Sequence, residues 1–126
     1  MKKILSMLSI VTFLYAGALD WEHNYEKALQ IAQSKSKPLL MMYHARWCPE
    51  CAYMKEVIFK DPKLSEYMQS HYILVDMNLS KEKPPKGFSY KGVPTFFIIS
   101  PEGKLTGKIE GAASAHDFLE RLKTIR

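Results

Sequence analysis

The sequence predicts an α/β fold in which a central mixed sheet of about four to five strands is flanked by helices on both faces. Three observations lead to this prediction. Helical and strand patterns alternate along the chain, one early strand is a continuous apolar run of the kind that is covered on both faces, and the last two strands are joined by a short turn. Alternation of this kind places helices on both sides of a sheet.

The chain begins with the pattern of a secretory signal. A positive start at Lys2 and Lys3 precedes a mostly apolar stretch that ends in the small residues Ala16-Gly17-Ala18. The apolar stretch is shorter than the roughly 20 residues that span a bilayer. We therefore expect a cleaved leader at 1–18, with an uncleaved anchor as the alternative, and a single domain at 19–126 in the periplasm.

The charge of the chain is mildly basic. It has 18 Lys and Arg against 13 Asp and Glu, a formal net charge of +5, and two of the lysines lie in the expected leader. The others are scattered, apart from a loop run at Lys81, Lys83, Lys86 and Lys91. This pattern gives nucleic-acid binding little support and is typical of a solvated surface.

The first elements of the domain are a helix and a strand. Apolar and aromatic residues recur at helical spacing over 21–35, with charged and amide residues between them, and Pro38 ends the pattern. The continuous apolar run at 39–43 then predicts a strand that is buried on both faces.

A second helix is expected to begin at Cys48. Its residues Met54, Val57 and Ile58 can face the core, and an Asp-Pro pair restarts a further helical turn over 61–67.

The rest of the chain predicts three strands and a final helix. A second strand is expected at 72–77, and a loop rich in proline and lysine follows at 80–90. A third strand at 95–99 is joined by a Pro-Glu-Gly turn to an antiparallel partner at 104–110. A serine cap then begins a helix over 114–125.

Both cysteines of the chain lie in Trp47-Cys48-Pro49-Glu50-Cys51, directly after the strand predicted at 39–43. This spacing can open a helix with one thiol at its N-terminus and the other a turn further in, which suits reversible dithiol chemistry. A static disulfide in so short a loop would add little stability. Thiol-disulfide exchange, which needs no bound cofactor, is therefore the predicted activity.

A metal-binding carrier is the competing hypothesis from another functional class. Cys48, Cys51 and perhaps His44 would hold copper or zinc, but a structural zinc site normally needs four ligands. First-row metals also want more soft or imidazole ligands than this segment collects. Attached haem is excluded, because it needs a histidine where the chain has Ala52.

Two motifs about forty residues apart identify a family resemblance. They are the aromatic-flanked Trp47-Cys48-Pro49-Glu50-Cys51 and Gly92-Val93-Pro94-Thr95, which enters a strand. Through them the chain resembles the thioredoxin superfamily over nearly all of 19–126, which implies a thioredoxin fold. It is most similar to periplasmic thioredoxin-like modules of the DsbD C-terminal-domain type, which share Tyr25-Glu26-Lys27-Ala28-Leu29, Lys37-Pro38-Leu39-Leu40 and Phe59-Lys60-Asp61-Pro62.

The predicted site contains two cysteines and three residues that would contact a substrate. At a helix N-terminus Cys48 is favoured as a thiolate and hence as the nucleophile, and the deeper Cys51 is the resolving thiol. Trp47 either offers an apolar surface to the incoming disulfide or packs in the core. The resemblance implies a cis bond before Pro94, with the Val93 backbone free to bind a substrate strand; a trans proline starting a strand is the alternative.

Pro49 and Glu50 tune the redox poise of the dithiol. A negative charge near Cys48 opposes thiolate formation, although an exposed carboxylate is screened. We therefore expect a thiol pKa for Cys48 nearer the mild, thioredoxin-like end of the family, which favours a reductant of protein disulfides. A disulfide oxidase or isomerase is the alternative within the same class.

One position departs from the family pattern. Typical thioredoxins bury an aspartate six residues ahead of the first cysteine, where it assists proton transfer to the resolving thiol, and this chain has Met42 there. Asp76, on the next predicted strand, either replaces that acid from the other side of Cys51 or is an exposed carboxylate at a strand end.

The resemblance also implies the kind of partner. The expected partners are protein disulfide substrates and a membrane electron donor of the DsbD type, with apocytochromes as a candidate client class. We expect no nucleic-acid partner and no metal.

Overall fold

Five strands form one mixed sheet within residues 19–125, the part of the chain that this computed structural model describes. Their spatial order is β1-β3-β2-β4-β5. β3 is parallel to both β1 and β2, β4 is antiparallel to β2, and β5 is antiparallel to β4. The strands are β1 (Trp21–Glu22), β2 (Leu39–His44), β3 (Ile73–Asn78), β4 (Thr95–Ile99) and β5 (Leu105–Glu110).

The helices begin at side chains that cap them. The four α-helices are α1 (Tyr25–Lys35), α2 (Pro49–Glu56), α3 (Pro62–His71) and α4 (Ala115–Thr124), with a short 3-10 turn at Ile58–Lys60. Each α-helix starts after a residue whose side chain accepts a hydrogen bond from a backbone N–H three positions on. These capping residues are Asn24, Cys48, Asp61 and Ser114.

The sheet separates two apolar cores, and β2 contributes to both. Leu40 and Met42 pack on one face in a cluster with residues of α2, α3 and α4. Leu39, Met41 and Tyr43 pack on the opposite face against α1. Successive side chains of a strand point to opposite faces, so a central strand covered on both sides must be apolar throughout. The predicted mixed sheet with helices on both faces is confirmed, while the leader expected at 1–18 lies outside the described residues.

The prediction that the first helix starts at Trp21 was wrong. Trp21 and the next residue form β1, in which Trp21 pairs with Leu74 of β3. The Trp21 ring packs against Phe59, with 5.8 Å between the ring centroids. The helix starts only after Asn24, whose side chain accepts the N–H of Lys27 at 2.9 Å. Sheet pairing and an N-cap therefore outweigh helical periodicity at this end.

The structure also corrects the end of α2 and the length of α3. Val57, expected in the core, is 52% exposed, because α2 ends at Glu56 and the chain tightens into the 3-10 turn. Met54 and Ile58 are buried as predicted. Helix α3 continues past the predicted end at Tyr67 to His71 and buries Met68.

Truncating Phe118 tests the core that supports α2. Phe118 is fully buried and its ring packs against those of Phe59 and Phe96. We expect Phe118→Ala to lower the free energy of unfolding by about 3–5 kcal/mol, the usual range for a buried phenylalanine. Urea denaturation measures this loss. The control Leu105→Ala removes an exposed side chain and should change stability by about 0.5 kcal/mol or less; equal losses would contradict this description of the core.

Candidate active site

Cys48 and Cys51 form a disulfide at the N-terminus of α2, with their Cα atoms 5.3 Å apart. The strand β2 ends at His44, and the chain then turns so that the Cys48 N–H donates to the Ala45 carbonyl at 3.2 Å. Pro49 is the first helical residue, a position where its missing N–H costs nothing. The end of β2 and the start of α2 thus fix the position of the dithiol.

The two sulfur atoms occupy different environments. Cys48 is the N-cap of α2, and its Sγ accepts the N–H of Cys51 at 3.1 Å. Cys51 lies one turn further in, and it is 2% exposed against 6% for Cys48. Backbone N–H groups at a helix N-terminus favour negative charge. The geometry therefore favours a thiolate at Cys48 and disfavours one at the more buried Cys51.

The loop before β4 faces the dithiol. The peptide bond between Val93 and Pro94 is cis, and the Val93 carbonyl oxygen lies 3.7 Å from the Cys48 Sγ. Two hydrogen bonds fix this loop: the Gly111 N–H donates to the Pro94 carbonyl at 2.9 Å, and the Thr95 hydroxyl donates to the Gly92 carbonyl at 2.6 Å. The structure therefore brings together the two motifs that lie far apart in the sequence.

Trp47 lies on the surface beside the disulfide. Its side chain is 76% exposed, so the alternative that it packs in the core was wrong. The neighbouring Arg46 N–H donates to the Ser80 hydroxyl at 3.0 Å, which ties the lysine-rich loop to the active-site turn. Pro49 and Glu50 are both exposed. A screened carboxylate at Glu50 has only a small effect on the thiol.

Asp76 is a buried carboxylate, 7% exposed, and not an exposed acid at a strand end. One of its oxygens contacts the His44 Nε2 and the other contacts the Lys55 Nζ. Burial raises the pKa of Asp76, but the hydrogen bonds and charges of His44 and Lys55 outweigh burial, so the pKa is lowered overall. The carboxylate is thus held ionised between two nitrogen groups.

This arrangement around Asp76 was not predicted from the sequence. His44 was named there as a candidate third ligand of a metal site, and Lys55 was not singled out. Two signals point to both residues. Met42 and Asp76 are paired in register on β2 and β3, which places His44 two positions beyond on the same face. Lys55 follows Cys51 by four residues on α2, and residues at that spacing share a helix face.

Residues 19–125 contain no cluster of side chains that supports metal binding. No group of three or more His, Cys, Asp or Glu side chains in this range is arranged to hold an ion. His44, the third ligand of the competing hypothesis, directs its Nε2 at Asp76. Among the same residues, no helix has the length and apolar character to cross a membrane.

Comparison with known sequences gives a family match and a relative that each cover most of the chain. The family model described as "Thioredoxin-like domain" matches residues 25–126. The chain is 31% identical over 114 residues to the thiol:disulfide interchange protein DsbD of Campylobacter jejuni, a match covering 86% of this chain and 20% of that protein. The chain thus spans about a fifth of the length of this relative.

Two solved structures show the same fold. A thioredoxin from Thermus thermophilus superposes with a TM-score of 0.72 at 23% identity, over 86% of this chain and 87% of that one. The oxidised C-terminal domain of DsbD from Neisseria meningitidis gives a TM-score of 0.66 at 19% identity, over 85% of this chain and all of that one, 100%.

Replacing Asp76 tests the buried charge cluster. At neutral pH, Asp76→Asn leaves the Lys55 ammonium without its counter-charge and His44 without its carboxylate partner, and we expect the free energy of unfolding to fall by about 3 kcal/mol. A lowered native pKa contributes stability that is present above the unfolded-state pKa and lost as the pH falls through the native one. The difference between wild type and variant should therefore narrow in acid.

Urea denaturation over a series of pH values from neutral to acid measures this difference. The matched control is Asp117→Asn, at an exposed carboxylate in the first turn of α4, which should change stability little at any pH. If the difference in free energy of unfolding between wild type and Asp76→Asn stayed constant down to strongly acid pH, Asp76 would not be ionised in the native protein.

Proposed function

The chain belongs to the thioredoxin-like domain family, and from this premise we propose that it is an exported thiol-disulfide oxidoreductase that reduces protein disulfides in the periplasm. The observation that carries the proposal is the placement of Cys48 and Cys51 at the start of α2, opposite the loop of Val93 and Pro94. One sulfur lies at the helix N-terminus and the other is covered.

Exchange proceeds in two steps. In the reduced protein the Cys48 thiolate attacks a partner disulfide, forms a mixed disulfide and releases one partner sulfur as a thiolate. Cys51 then loses its proton and attacks the Cys48 sulfur, so the second partner sulfur leaves and the Cys48–Cys51 disulfide closes. The partner gains two electrons from the protein; one of the two protons on its new thiols comes from Cys51 and the other from water, because Cys48 reacts as the thiolate. Another dithiol must then reduce the protein before the next cycle.

The surface around Cys48 suits an extended partner segment. Trp47, which precedes Cys48 in the chain, presents a flat, exposed apolar ring, and the Val93 carbonyl oxygen lies 3.7 Å from the Cys48 Sγ. A partner strand that pairs with the Val93 backbone would place its disulfide next to Cys48 by main-chain hydrogen bonds. Such recognition reads the backbone and is compatible with several clients.

Reduction is the favoured direction because of the residues between the cysteines. Pro49 has no N–H, and Glu50 places a negative charge in the first turn of α2. Neither adds stabilisation to a thiolate at Cys48 of the kind that makes strong oxidants. An oxidase or isomerase would use the same residues with a higher reduction potential.

Export and partners follow from the leader pattern and the relatives. We propose that 1–18 is a cleaved signal and that 19–126 is the periplasmic domain. The similarity to DsbD supports a membrane electron donor of that type, with extracytoplasmic proteins as clients. Apocytochromes, whose paired cysteines must be reduced, are one such class.

Single-cysteine variants test the assigned roles. We expect Cys51→Ser to accumulate a mixed disulfide with a model protein disulfide such as insulin, because the attacking thiol remains and the resolving thiol is gone. Cys48→Ser should form no such adduct and should lose insulin reduction. Non-reducing gel electrophoresis and mass spectrometry detect the adduct. An adduct that forms with equal yield in Cys48→Ser would contradict the assignment of nucleophile and resolving thiol, and an adduct that forms in Cys48→Ser alone would reverse it.

The reduction potential of the couple tests the direction. Equilibration of the wild-type protein against glutathione or dithiothreitol should give a value near the thioredoxin one, about −270 mV, because Pro49 and Glu50 do not favour the reduced form. A Glu50→Gln variant should move the potential only slightly, since this carboxylate is exposed. A value near about −120 mV would overturn the reductant proposal in favour of an oxidase.

A further inference from the structure

A lysine-rich loop begins and ends beside the dithiol. Residues 80–92, called the basic loop below, lead from the end of β3 to Val93. At the start of the loop, the Ser80 hydroxyl accepts the N–H of Arg46 at 3.0 Å, and Arg46 precedes Cys48 by two residues. At the end of the loop, the chain reaches Val93, whose carbonyl oxygen lies 3.7 Å from the Cys48 Sγ. Both ends of the basic loop therefore border the reactive sulfur.

Aromatic contacts hold the basic loop against the domain. Phe88, in the second half of the loop, is 8% exposed, and its ring centroid lies 5.7 Å from the ring centroids of both Tyr25 and Phe97. Further along, the Tyr90 ring packs edge-on against the Tyr43 ring, with 5.2 Å between the centroids. The loop is thus fixed to the apolar core at two points, which keeps its charged residues on the outside.

The positive side chains of this region are exposed and form no ion pair within the described part of the chain. The loop has four lysines and one acidic residue, Glu82, and Arg46 adds a fifth positive charge. The pKa of the Glu110 carboxyl is lowered mainly by Lys108, with which it pairs at 3.0 Å, and only to a smaller extent by the charge of Lys91. The five cations without a carboxylate partner there are Arg46, Lys81, Lys83, Lys86 and Lys91.

Positive charge is concentrated at this place and not spread over the domain. Of the 18 Lys and Arg, two lie in 1–18 and one is Arg126, which leaves 15 against 13 Asp and Glu within 19–125, a net charge of +2. The basic loop and Arg46 together contribute +4, so the rest of 19–125 carries −2. Even when Glu50 of α2 is counted with them, the surroundings of the dithiol keep a net charge of +3.

These charges lie within electrostatic range of a bound client. Two residues of chain span at most about 7 Å, so the backbone of Arg46 is within that distance of Cys48, and the backbone of Lys91 is within that distance of Val93. The Debye length at physiological ionic strength is about 8 Å. A client strand that pairs with the Val93 backbone would therefore carry the residues on both sides of its cysteine past the basic side chains.

We propose that the basic loop and Arg46 select clients whose reactive disulfide is flanked by acidic residues. The inference rests on the exchange function proposed above and names its substrate class. Client carboxylates would supply the counter-charge that the five cations lack, and a basic client would be repelled. Single exposed ion pairs add little affinity, whereas a field of several like charges raises association rates by about 10- to 1000-fold. The selection therefore acts on the rate of encounter.

Second-order rates of disulfide reduction by the reduced full-length chain test this inference. The substrates are three peptide disulfides that share one sequence except for Glu, Gln or Lys at the positions flanking the cysteine. Each peptide carries a fluorophore whose quenching is relieved on reduction. Rates are compared at ionic strengths of about 0.01 M and about 1 M, where the Debye length is about 30 Å and about 3 Å.

At low ionic strength we expect the wild type to reduce the Glu peptide at least about tenfold faster than the Gln peptide, and the Lys peptide more slowly than either. At high ionic strength these ratios should approach one, because salt screens exposed charges. Removing four charges from the basic loop should bring the Glu-to-Gln ratio at low ionic strength to about twofold or less. The variant combines Lys81→Gln, Lys83→Gln, Lys86→Gln and Lys91→Gln.

A matched control removes four exposed lysines outside the basic loop, so it has the same net charge as the loop variant. It should keep the wild-type ratio, because placement and not total charge decides the selection. A ratio within one variant also cancels any general damage to the dithiol. The control combines Lys35→Gln, Lys63→Gln, Lys104→Gln and Lys123→Gln.

A loop variant that keeps the wild-type ratio overturns the inference, and so does a control variant that loses the ratio to the same extent. If the loop variant keeps the ratio but loses binding to anionic phospholipid vesicles, the loop contacts a membrane surface instead. Charge reversal by Lys81→Glu with Lys91→Glu should make the Lys peptide the faster substrate. This pair decides if the fourfold variant does not fold, because an unchanged preference for the Glu peptide then overturns the inference.

The wild type alone separates this inference from the exchange function. Equal rates for the three peptides at low ionic strength overturn the selection of acidic clients and leave the exchange function in place. A wild type that reduces none of the peptides refutes the exchange function itself, and the inference with it.

Discussion

The burial of β2 on both faces is the constraint on which the rest of the structure depends. Because every residue from Leu39 to Tyr43 is fully buried, the strand has one register against β3 and one against β4. β2 and β3 run parallel and β4 runs against them, so the C-terminal ends of the first two and the start of β4 share one edge of the sheet. Cys48 and the Val93-Pro94 loop meet at that edge as a result.

The elements that sequence patterns predicted well are those with a mostly apolar run. β2, β3 and β4 are buried strands in which apolar residues predominate, with Asp76 the buried exception in β3, and the antiparallel partner β5 follows from a turn. β1 was missed because two residues are too few to show a period, and its pairing with β3 depends on a strand that lies far along the chain. The prediction that Val57 faces the core was wrong for a related reason, because the pattern does not show where α2 ends.

Part of the candidate site could likewise be predicted from the sequence, and part could not. The dithiol could be predicted from five consecutive residues, because helix entry and cysteine spacing are local properties. The environment of Asp76 could not, since it depends on β3, β2 and α2 being in place together. Residue type alone made His44 a candidate metal ligand, whereas its position opposite a carboxylate makes it a hydrogen-bond donor. The roles of His44 and Lys55 therefore depend on Asp76 of β3, which both side chains contact.

The capping contact of Cys48 has a consequence for how this chain can vary. One sulfur atom both starts α2 and carries the reactive electron pair, so two selective demands act on a single side chain. Serine or aspartate would begin a helix at least as well as cysteine, yet neither can exchange electrons. A lineage that lost the redox task could therefore retain the fold with one conservative replacement, and inactive descendants with an intact architecture should be easy to reach by mutation.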